Sequence, residues 1–146
     1  MLLPGYVLAA EGTEIHVAAW PGREAAAPPS PAPFFTRQLL LSRAFASQAS
    51  CYVIAVGGMR SNADTPERYR DLSMGEGTGD SYIIDPRGEI IAGPAQGETI
   101  LIADGFREAV LAAKAVNDLG GHYSRPDLFQ LSVNREAPSW FTEQER

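Results

Sequence analysis

The side chains best suited to nucleophilic catalysis, general-base catalysis or metal binding are one cysteine and two histidines. Cys51 is the only thiol of the 146 residues and is the first candidate nucleophile. It opens the apolar run CYVIAV, whereas a reactive thiolate needs an electropositive and partly exposed setting. We therefore interpret Cys51 as a structural residue. A lone cysteine cannot form a disulfide within the chain, which is typical of a reducing compartment.

His16 and His122 could each act as a base or a metal ligand. Neither lies among carboxylates or thiols at the spacing of a metal site, so we predict no metal and no cofactor. We expect the acidic residues in the middle of the chain to be solvated turn or edge residues, and no catalytic acid–base pair is assigned. They are Asp85, Glu89, Glu98 and Asp104.

The glycine-rich stretch GEGTGD, residues 75–80, has the composition of a phosphate-binding loop. Such a loop follows a strand, leads into a helix and usually carries a Lys-Ser or Lys-Thr pair. Here a β-rich run follows and no lysine lies nearby. We predict a turn before Tyr82 instead.

The first predicted elements are a short helix and a strand. Residues 2–10 have the spacing of a short helix, which Gly12 would end. Residues 13–20 alternate as a strand does, and Pro21-Gly22 ends it. The two faces of the strand are Ile15, Val17 and Ala19, and His16, Ala18 and Trp20.

A proline-rich surface loop, residues 23–33, separates this unit from a second helix, residues 34–50, with Thr36 as its N-cap. The periodic residues of that helix are Leu40, Leu41, Ala44 and Phe45. Residues 51–56 are almost entirely apolar, which predicts a strand covered on both faces.

Residues 59–79 are polar and predict a long loop with one helical turn at residues 66–71. Three β-rich runs follow, at residues 81–84, 89–92 and 99–103, and Asp85-Pro86-Arg87-Gly88 is typical of a hairpin turn between the first two. Residues 106–118 predict a helix that ends before Gly120-Gly121. Its predicted face is Phe106, Val110, Ala113 and Val116 or Asn117.

The tail, residues 122–146, carries more apolar side chains than water would tolerate, and we expect it to pack on this chain or on a partner. These side chains are Leu128, Phe129, Leu131, Val133, Trp140 and Phe141. Within the tail, Arg125 and Asp127 are placed to form an ion pair around Pro126.

Composition predicts one domain, or part of one. The net charge of −6 and the lack of a basic stripe argue against a nucleic-acid partner. No positively charged leader and no apolar run of membrane-spanning length appears, which favours a cytoplasmic protein with no membrane partner.

Two motifs resemble one known family. GDSYIIDPRGEIIAGP at residues 79–94 and GHYSRPD at residues 121–127 resemble the C-terminal half of a nitrilase of the carbon-nitrogen hydrolase superfamily. The resemblance implies an α/β layered fold that is half of a four-layer α-β-β-α sandwich. Residues 1–134 would be the C-terminal part of that domain, and residues 135–146 a tail.

The resemblance also carries expectations about function. The family's catalytic Glu, Lys and Cys fall before Met1, so the chain would be inactive alone in hydrolysing a nitrile to a carboxylic acid and ammonia. Trp20, Pro21 and His122 would line the substrate site, His122 by reaching its rim. The alternative for His122 is a structural role in anchoring the tail. Gln48 departs from the Glu that the family usually carries there.

Two functions stay open. The chain is either a truncated or split nitrilase that needs another polypeptide, or a non-catalytic module that pairs with a full-length nitrilase. In both cases we expect a homo-oligomer or pairing with another nitrilase chain, since half of the sandwich would expose the inner face of its sheet. A small-molecule nitrile would bind only to the completed enzyme.

Overall fold

The computed structural model describes residues 2–21, 37–72 and 77–136. The α-helices are α1 Leu2–Ala10, α2 Arg37–Ala49 and α3 Arg107–Val116. The strands are β1 Ile15–Trp20, β2 Tyr52–Gly57, β3 Met59–Arg60, β4 Gly77–Ile84 and β5 Ile90–Gln96. Two short 3-10 helices, Asn62–Asp64 and Glu67–Leu72, lie between β3 and β4. Among the described residues, no helix combines the length and the apolar character that crossing a membrane requires.

The strands form one five-stranded mixed sheet. β1 and β2 are parallel and are joined through α2, whereas β4 pairs antiparallel with β2, β3 and β5. α1 and α2 pack on one face of this sheet, and the core lies between them and the strands. The predicted α/β layered fold is confirmed, and its layers are those of part of the α-β-β-α sandwich.

The turn between α1 and β1 is fixed by local chemistry. Gly12 has a φ of +83°, a conformation that glycine adopts without strain. The Thr13 hydroxyl then donates to the Leu8 carbonyl across 2.7 Å, which satisfies one of the free carbonyls at the helix end. The predicted helix, glycine stop and strand are confirmed here, and the strand begins at Ile15.

The buried face of α2 differs from the predicted one. Leu40 and Leu41 are exposed, and the buried positions include two polar ones. They are Gln38, Leu39, Ser42, Ala46 and Ala49. The leucines suggested the wrong face because Gln38 and Ser42 find hydrogen-bond partners inside the fold.

β2 is buried on one face and only partly covered on the other, so the described chain does not bury both faces as predicted. Val53 and Ala55 point into the core, while Val56 is exposed. Ile15 and Val17 of β1 lie on the same side of the sheet as Val56 and are 62% and 61% exposed. We call this apolar side, formed by Ile15, Val17 and Val56, the open sheet face.

The β4–β5 hairpin is confirmed. The Asp85 carboxylate accepts hydrogen bonds from the backbone N–H groups of Arg87 and Glu89, each at 2.9 Å. Gly88 adopts a φ of +88° and donates to the Asp85 carbonyl across 2.9 Å. The predicted loop at residues 59–79 contains its expected helical turn, but it also contains β3 and the start of β4.

The predicted strand at residues 99–103 is not formed. Its side chains alternate in exposure, with Ile100 and Ile102 86% and 83% exposed, but none of these residues belongs to a strand. Within the described part of the chain, their backbone groups make no hydrogen bond to a neighbouring strand. The β-rich sequence therefore lacks the pairing partner that a strand requires.

α3 is held against the end of α2. Lys114 donates through Nζ to the Ala49 carbonyl across 3.2 Å, and Val110 is buried. The predicted face is only partly correct, because Phe106 and Val116 are exposed.

The described part of the tail, residues 122–136, leaves its apolar side chains exposed, so their packing onto this chain is not found. The exposed ones are Leu128, Phe129, Leu131 and Val133. The loop at residues 23–33, the Thr36 cap, part of the glycine-rich stretch, and Trp140 with Phe141 lie outside the described residues.

Candidate functional site

Trp20 and Pro21 lie at the edge of the sheet where β1 and β2 both end. The register pairs Trp20 with Gly57, and the Gly58 N–H donates to the Trp20 carbonyl across 2.8 Å. β4 begins at the same edge because it is antiparallel to β2. Ligands of α/β proteins commonly bind outside the carboxyl ends of parallel strands. This edge, which we call the carboxyl edge, is the candidate functional site.

Glycine at position 57 allows the strands to approach at this edge. A Cβ on Gly57 would lie 1.5 Å from the Gly79 carbonyl oxygen, a distance that no side chain can occupy. The Gly57 N–H donates to the Ser81 hydroxyl across 3.0 Å. β2 and β4 therefore lie in close contact at this edge, where the Gly57 backbone bonds directly to the Ser81 side chain.

The Trp20 indole is hydrogen-bonded to α2, on the side of the sheet that the helices cover. Trp20 lies on the inward face of β1, and its Nε1–H donates to the Ser42 hydroxyl across 3.1 Å. Ser42 is buried on α2, so this bond joins the end of β1 to the helix that follows it in the fold. The predicted division of β1 into two faces is confirmed.

Asp80 is a buried acidic residue at the carboxyl edge that the sequence placed only within a glycine-rich turn. It is 4% exposed and has a φ of +56°. The Gln96 side-chain amide donates to its carboxylate across 2.8 Å, and the Gln38 amide donates to its carbonyl across 3.1 Å. Aspartate is one of the few side chains enriched at positive φ, and this preference was the available signal.

His122 lies away from Trp20 in this structure. The chain that leads to it packs at Gly120 against Ala10, the last residue of α1, and β1 begins shortly after that helix. Trp20 stands at the other end of β1, about 16 Å along a six-residue strand. The His122 ring is exposed and contacts the neighbouring Tyr123 ring at a tilt of 44°, with 4.6 Å between centroids. Its place at a substrate site stays a prediction.

The predicted ion pair of the GHYSRPD motif is confirmed. Arg125 contacts both carboxylate oxygens of Asp127, with Nη2 2.6 Å from Oδ2 and Nε 2.8 Å from Oδ1. This hydrogen bonding lowers the pKa of Asp127 and raises the pKa of Arg125. The Arg125 carbonyl also accepts from the backbone of Leu128 and Phe129. The motif is thus a closed local turn.

Cys51 is fully buried immediately before β2. Burial raises the pKa of its thiol to about 11, although the positive charge of Lys114 partly opposes that shift. The thiol is protonated near neutral pH and is closed to solvent, which supports the structural role inferred from its apolar neighbours. Among the described residues, no group of three or more His, Cys, Asp or Glu side chains is placed to hold a metal ion.

A second feature is an apolar cavity of about 860 Å³ between α1, α2 and the inward face of β1, which we call the α1–α2 groove. Its lining includes Leu3, Tyr6, Trp20, Leu41 and Leu119. His16 lies within it, with its ring 4.7 Å from the Phe45 ring. Burial lowers the pKa of His16, so its imidazole is neutral near pH 7.

Comparison with known proteins agrees with this architecture. Residues 5–114 match the family model described as carbon-nitrogen hydrolase, so the chain belongs to the carbon-nitrogen hydrolase family. It is 44% identical over 137 residues to Nitrilase 2 of an unknown prokaryotic organism, covering 92% of this chain and 40% of that protein.

Two further relatives show the same coverage. The aliphatic nitrilase of Rhodococcus rhodochrous is 32% identical over 143 residues, covering 91% of this chain and 38% of that protein. The arylacetone-specific nitrilase of Alcaligenes faecalis is 32% identical over 142 residues, covering 90% and 39%. The chain therefore spans about two fifths of the length of these curated relatives.

Proposed function

We propose that this chain is a split or truncated nitrilase that takes part in hydrolysing a nitrile to a carboxylic acid and ammonia once another polypeptide completes it. Residues 1–134 would correspond to the C-terminal part of the catalytic domain, and residues 135–146 would form a tail. The relatives named nitrilases and the motifs at residues 79–94 and 121–127 support this assignment. We place the protein in the cytoplasm, in keeping with its lone cysteine.

The resemblance to nitrilases implies three catalytic groups. A cysteine thiolate adds to the nitrile carbon, a glutamate moves protons and activates water, and a lysine stabilises the developing charge. No residue of this chain matches those positions, and its own cysteine is a buried, protonated thiol. The chain alone is therefore inactive in this proposal.

The exposure of the open sheet face is the main observation that supports the need for a partner chain. Ile15 and Val17 are more than half exposed beside Val56, on a sheet whose other face is packed. Contiguous apolar surface of this kind marks a site of association. In a four-layer sandwich a second sheet covers this face, and another nitrilase chain or a second copy of this chain would supply it here.

Within the completed enzyme, Trp20 and Pro21 would line the substrate site. Their position at the carboxyl edge, where Ser42 fixes the Trp20 indole, supports that role. His122 would reach the rim of the site from the tail segment, as the resemblance of its motif suggests.

Complementation tests this proposal. The chain is mixed with a polypeptide that carries the remaining, Cys-containing part of the Nitrilase 2 relative, and ammonia release from a nitrile is measured. We expect release only from the mixture, and its loss with Ile15→Asp, which places a charge on the open sheet face away from the α1–α2 groove. Leu111→Asp, at an exposed position of α3, is the matched control and should retain activity. A stable complex of the two parts that releases no ammonia would count against the proposal.

The alternative is a non-catalytic module that pairs with a full-length nitrilase through α1 and α2. The exposed apolar side chains of the α1–α2 groove favour it. Leu41→Asp would then abolish pairing while Ile15→Asp, outside the groove, would not, which is the reverse of the outcome expected for the split enzyme.

A further inference from the structure

Residues 99–103 have the side-chain pattern of a strand without a strand to pair with. Ile100 and Ile102 are exposed, whereas Leu101 and Ala103, which alternate with them, are partly buried. Isoleucine and threonine side chains favour strands. Within the described ranges, these residues belong to no strand and their backbone groups bond to no neighbouring strand. The segment therefore offers its backbone donors and acceptors to a strand from outside this part of the chain.

The carboxyl end of this segment is held beside the open sheet face. Tyr52 alternates with the buried Val53 along β2, so its side chain lies on the same side of the sheet as Val56. The Tyr52 hydroxyl accepts from the Phe106 N–H across 2.9 Å and donates to the Phe106 carbonyl across 3.3 Å. A Cβ on Gly105 would lie 3.6 Å from the Tyr52 ring. The segment is thus continuous with the surface through which we propose that a partner chain associates.

Acidic side chains flank the segment at both ends. Glu98 precedes it and Asp104 follows it, both are exposed, and neither forms an ion pair with another described residue. If two copies paired antiparallel around Leu101, Glu98 of each would face Asp104 of the other. Parallel pairing in register would place each carboxylate opposite its own counterpart. Because like charges opposite each other destabilise paired strands, a second copy is disfavoured.

We propose that residues 99–103 pair as a β-strand with a strand of the polypeptide that completes the split enzyme. The partner strand carries basic side chains opposite Glu98 and Asp104, and its apolar side chains cover Ile100 and Ile102. This pairing rests on the split-enzyme proposal, to which it adds the point of attachment. It begins a second sheet beside the open sheet face.

Amide hydrogen exchange, followed residue by residue by NMR, tests this pairing. Exchange is measured for the full chain alone and for its mixture with the Cys-containing part of the Nitrilase 2 relative. A strand paired along one edge directs every second N–H to its neighbour. We therefore expect alternate amides of residues 99–103 to exchange at least about 100 times more slowly in the complex, and all of them to exchange rapidly in the chain alone.

Charge variants test the chemistry of the partner strand. Glu98→Lys combined with Asp104→Lys should weaken binding of the Cys-containing polypeptide by roughly tenfold, as measured by calorimetric titration. Glu67→Lys combined with Asp71→Lys makes the same change of charge at exposed positions of the second 3-10 helix and should leave the affinity unchanged. Equal affinities of the two double variants would count against the proposed pairing.

The exchange experiment separates this pairing from the split-enzyme proposal. A complex that forms while all amides of residues 99–103 exchange as fast as in the chain alone would overturn the pairing and leave the split-enzyme proposal in place. Protection that appears in the chain alone as its concentration rises would also overturn the pairing and would assign the segment to a second copy. If no complex forms, both proposals are contradicted.

Discussion

The indole Nε1–H of Trp20 donates a hydrogen bond to the hydroxyl of Ser42 across 3.1 Å, although the two residues belong to different layers of the fold. Ser42 is buried on α2, and Trp20 ends β1 at the carboxyl edge. This hydrogen bond from β1 to α2 therefore fixes the orientation of the Trp20 indole at the candidate site.

Removing the acceptor of this bond should destabilise the chain. Ser42→Ala leaves the indole N–H without its partner in a partly buried place, and we expect a loss of about 1–2 kcal/mol in the free energy of unfolding. Urea unfolding followed by circular dichroism measures this loss. In a double-mutant cycle with Trp20→Phe, the double variant should lose less than the sum of the single variants. Strict additivity would show that the bond contributes nothing.

A side chain at position 57 should disrupt the carboxyl edge. Gly57→Ala would place its Cβ 1.5 Å from the Gly79 carbonyl oxygen, so β2 and β4 must separate, and we expect a loss of about 3 kcal/mol or more. Gly97→Ala is the control, because its Cβ meets no atom within 4 Å and adds only the strain of a φ of +73°, about 1 kcal/mol. Thermal unfolding compares the two, and equal losses would contradict the tight packing at Gly57.

The sequence predicted the structural elements that are determined by residues close together in the chain. The alternation of residues 15–20 predicted the two faces of β1, and Asp85 with Gly88 predicted the hairpin, because these patterns depend on neighbours in the chain. The close pairing of Arg125 with Asp127 was predictable for the same reason.

Features that depend on distant residues were not predictable in this way. The apolar periodicity of α2 did not indicate that Gln38 and Ser42 are buried, because their partners, Asp80 and Trp20, lie far away in sequence. Residues 99–103 have β-forming side chains, but a strand also needs a neighbouring strand to accept its hydrogen bonds. Asp80 gave only a turn signal, because its burial arises from the approach of Gln96 and α2.

The Cys51 thiol should make stability depend on pH in the alkaline range. Its pKa is raised from 9.0 to about 11 by burial, so the unfolded chain loses the proton first as pH rises. The free energy of unfolding should therefore be unaffected by this group below pH 9 and should fall between about pH 9 and 11, by roughly 2–3 kcal/mol. Urea unfolding across this range measures the fall, and Cys51→Ala should flatten it. An identical pH profile in the variant would contradict the assignment.

The open sheet face should drive association. Light scattering of the purified chain should report oligomers or aggregates, because exposed apolar side chains grouped on one sheet face favour association. Ile15→Asp should shift the population toward monomers, whereas Leu111→Asp changes an exposed position outside this face and should not. A monomeric parent chain that melts cooperatively would contradict a requirement for a partner.

Ammonia release by the purified chain alone tests the central claim most directly. The chain is incubated with aliphatic and aromatic nitriles beside a full-length nitrilase as positive control, and ammonia is measured over time. In the proposed split enzyme the catalytic Glu, Lys and Cys come from another polypeptide, so the chain alone should release no ammonia above the enzyme-free blank. Sustained turnover by the chain alone, retained after Cys51→Ala or lost with it, would contradict the account.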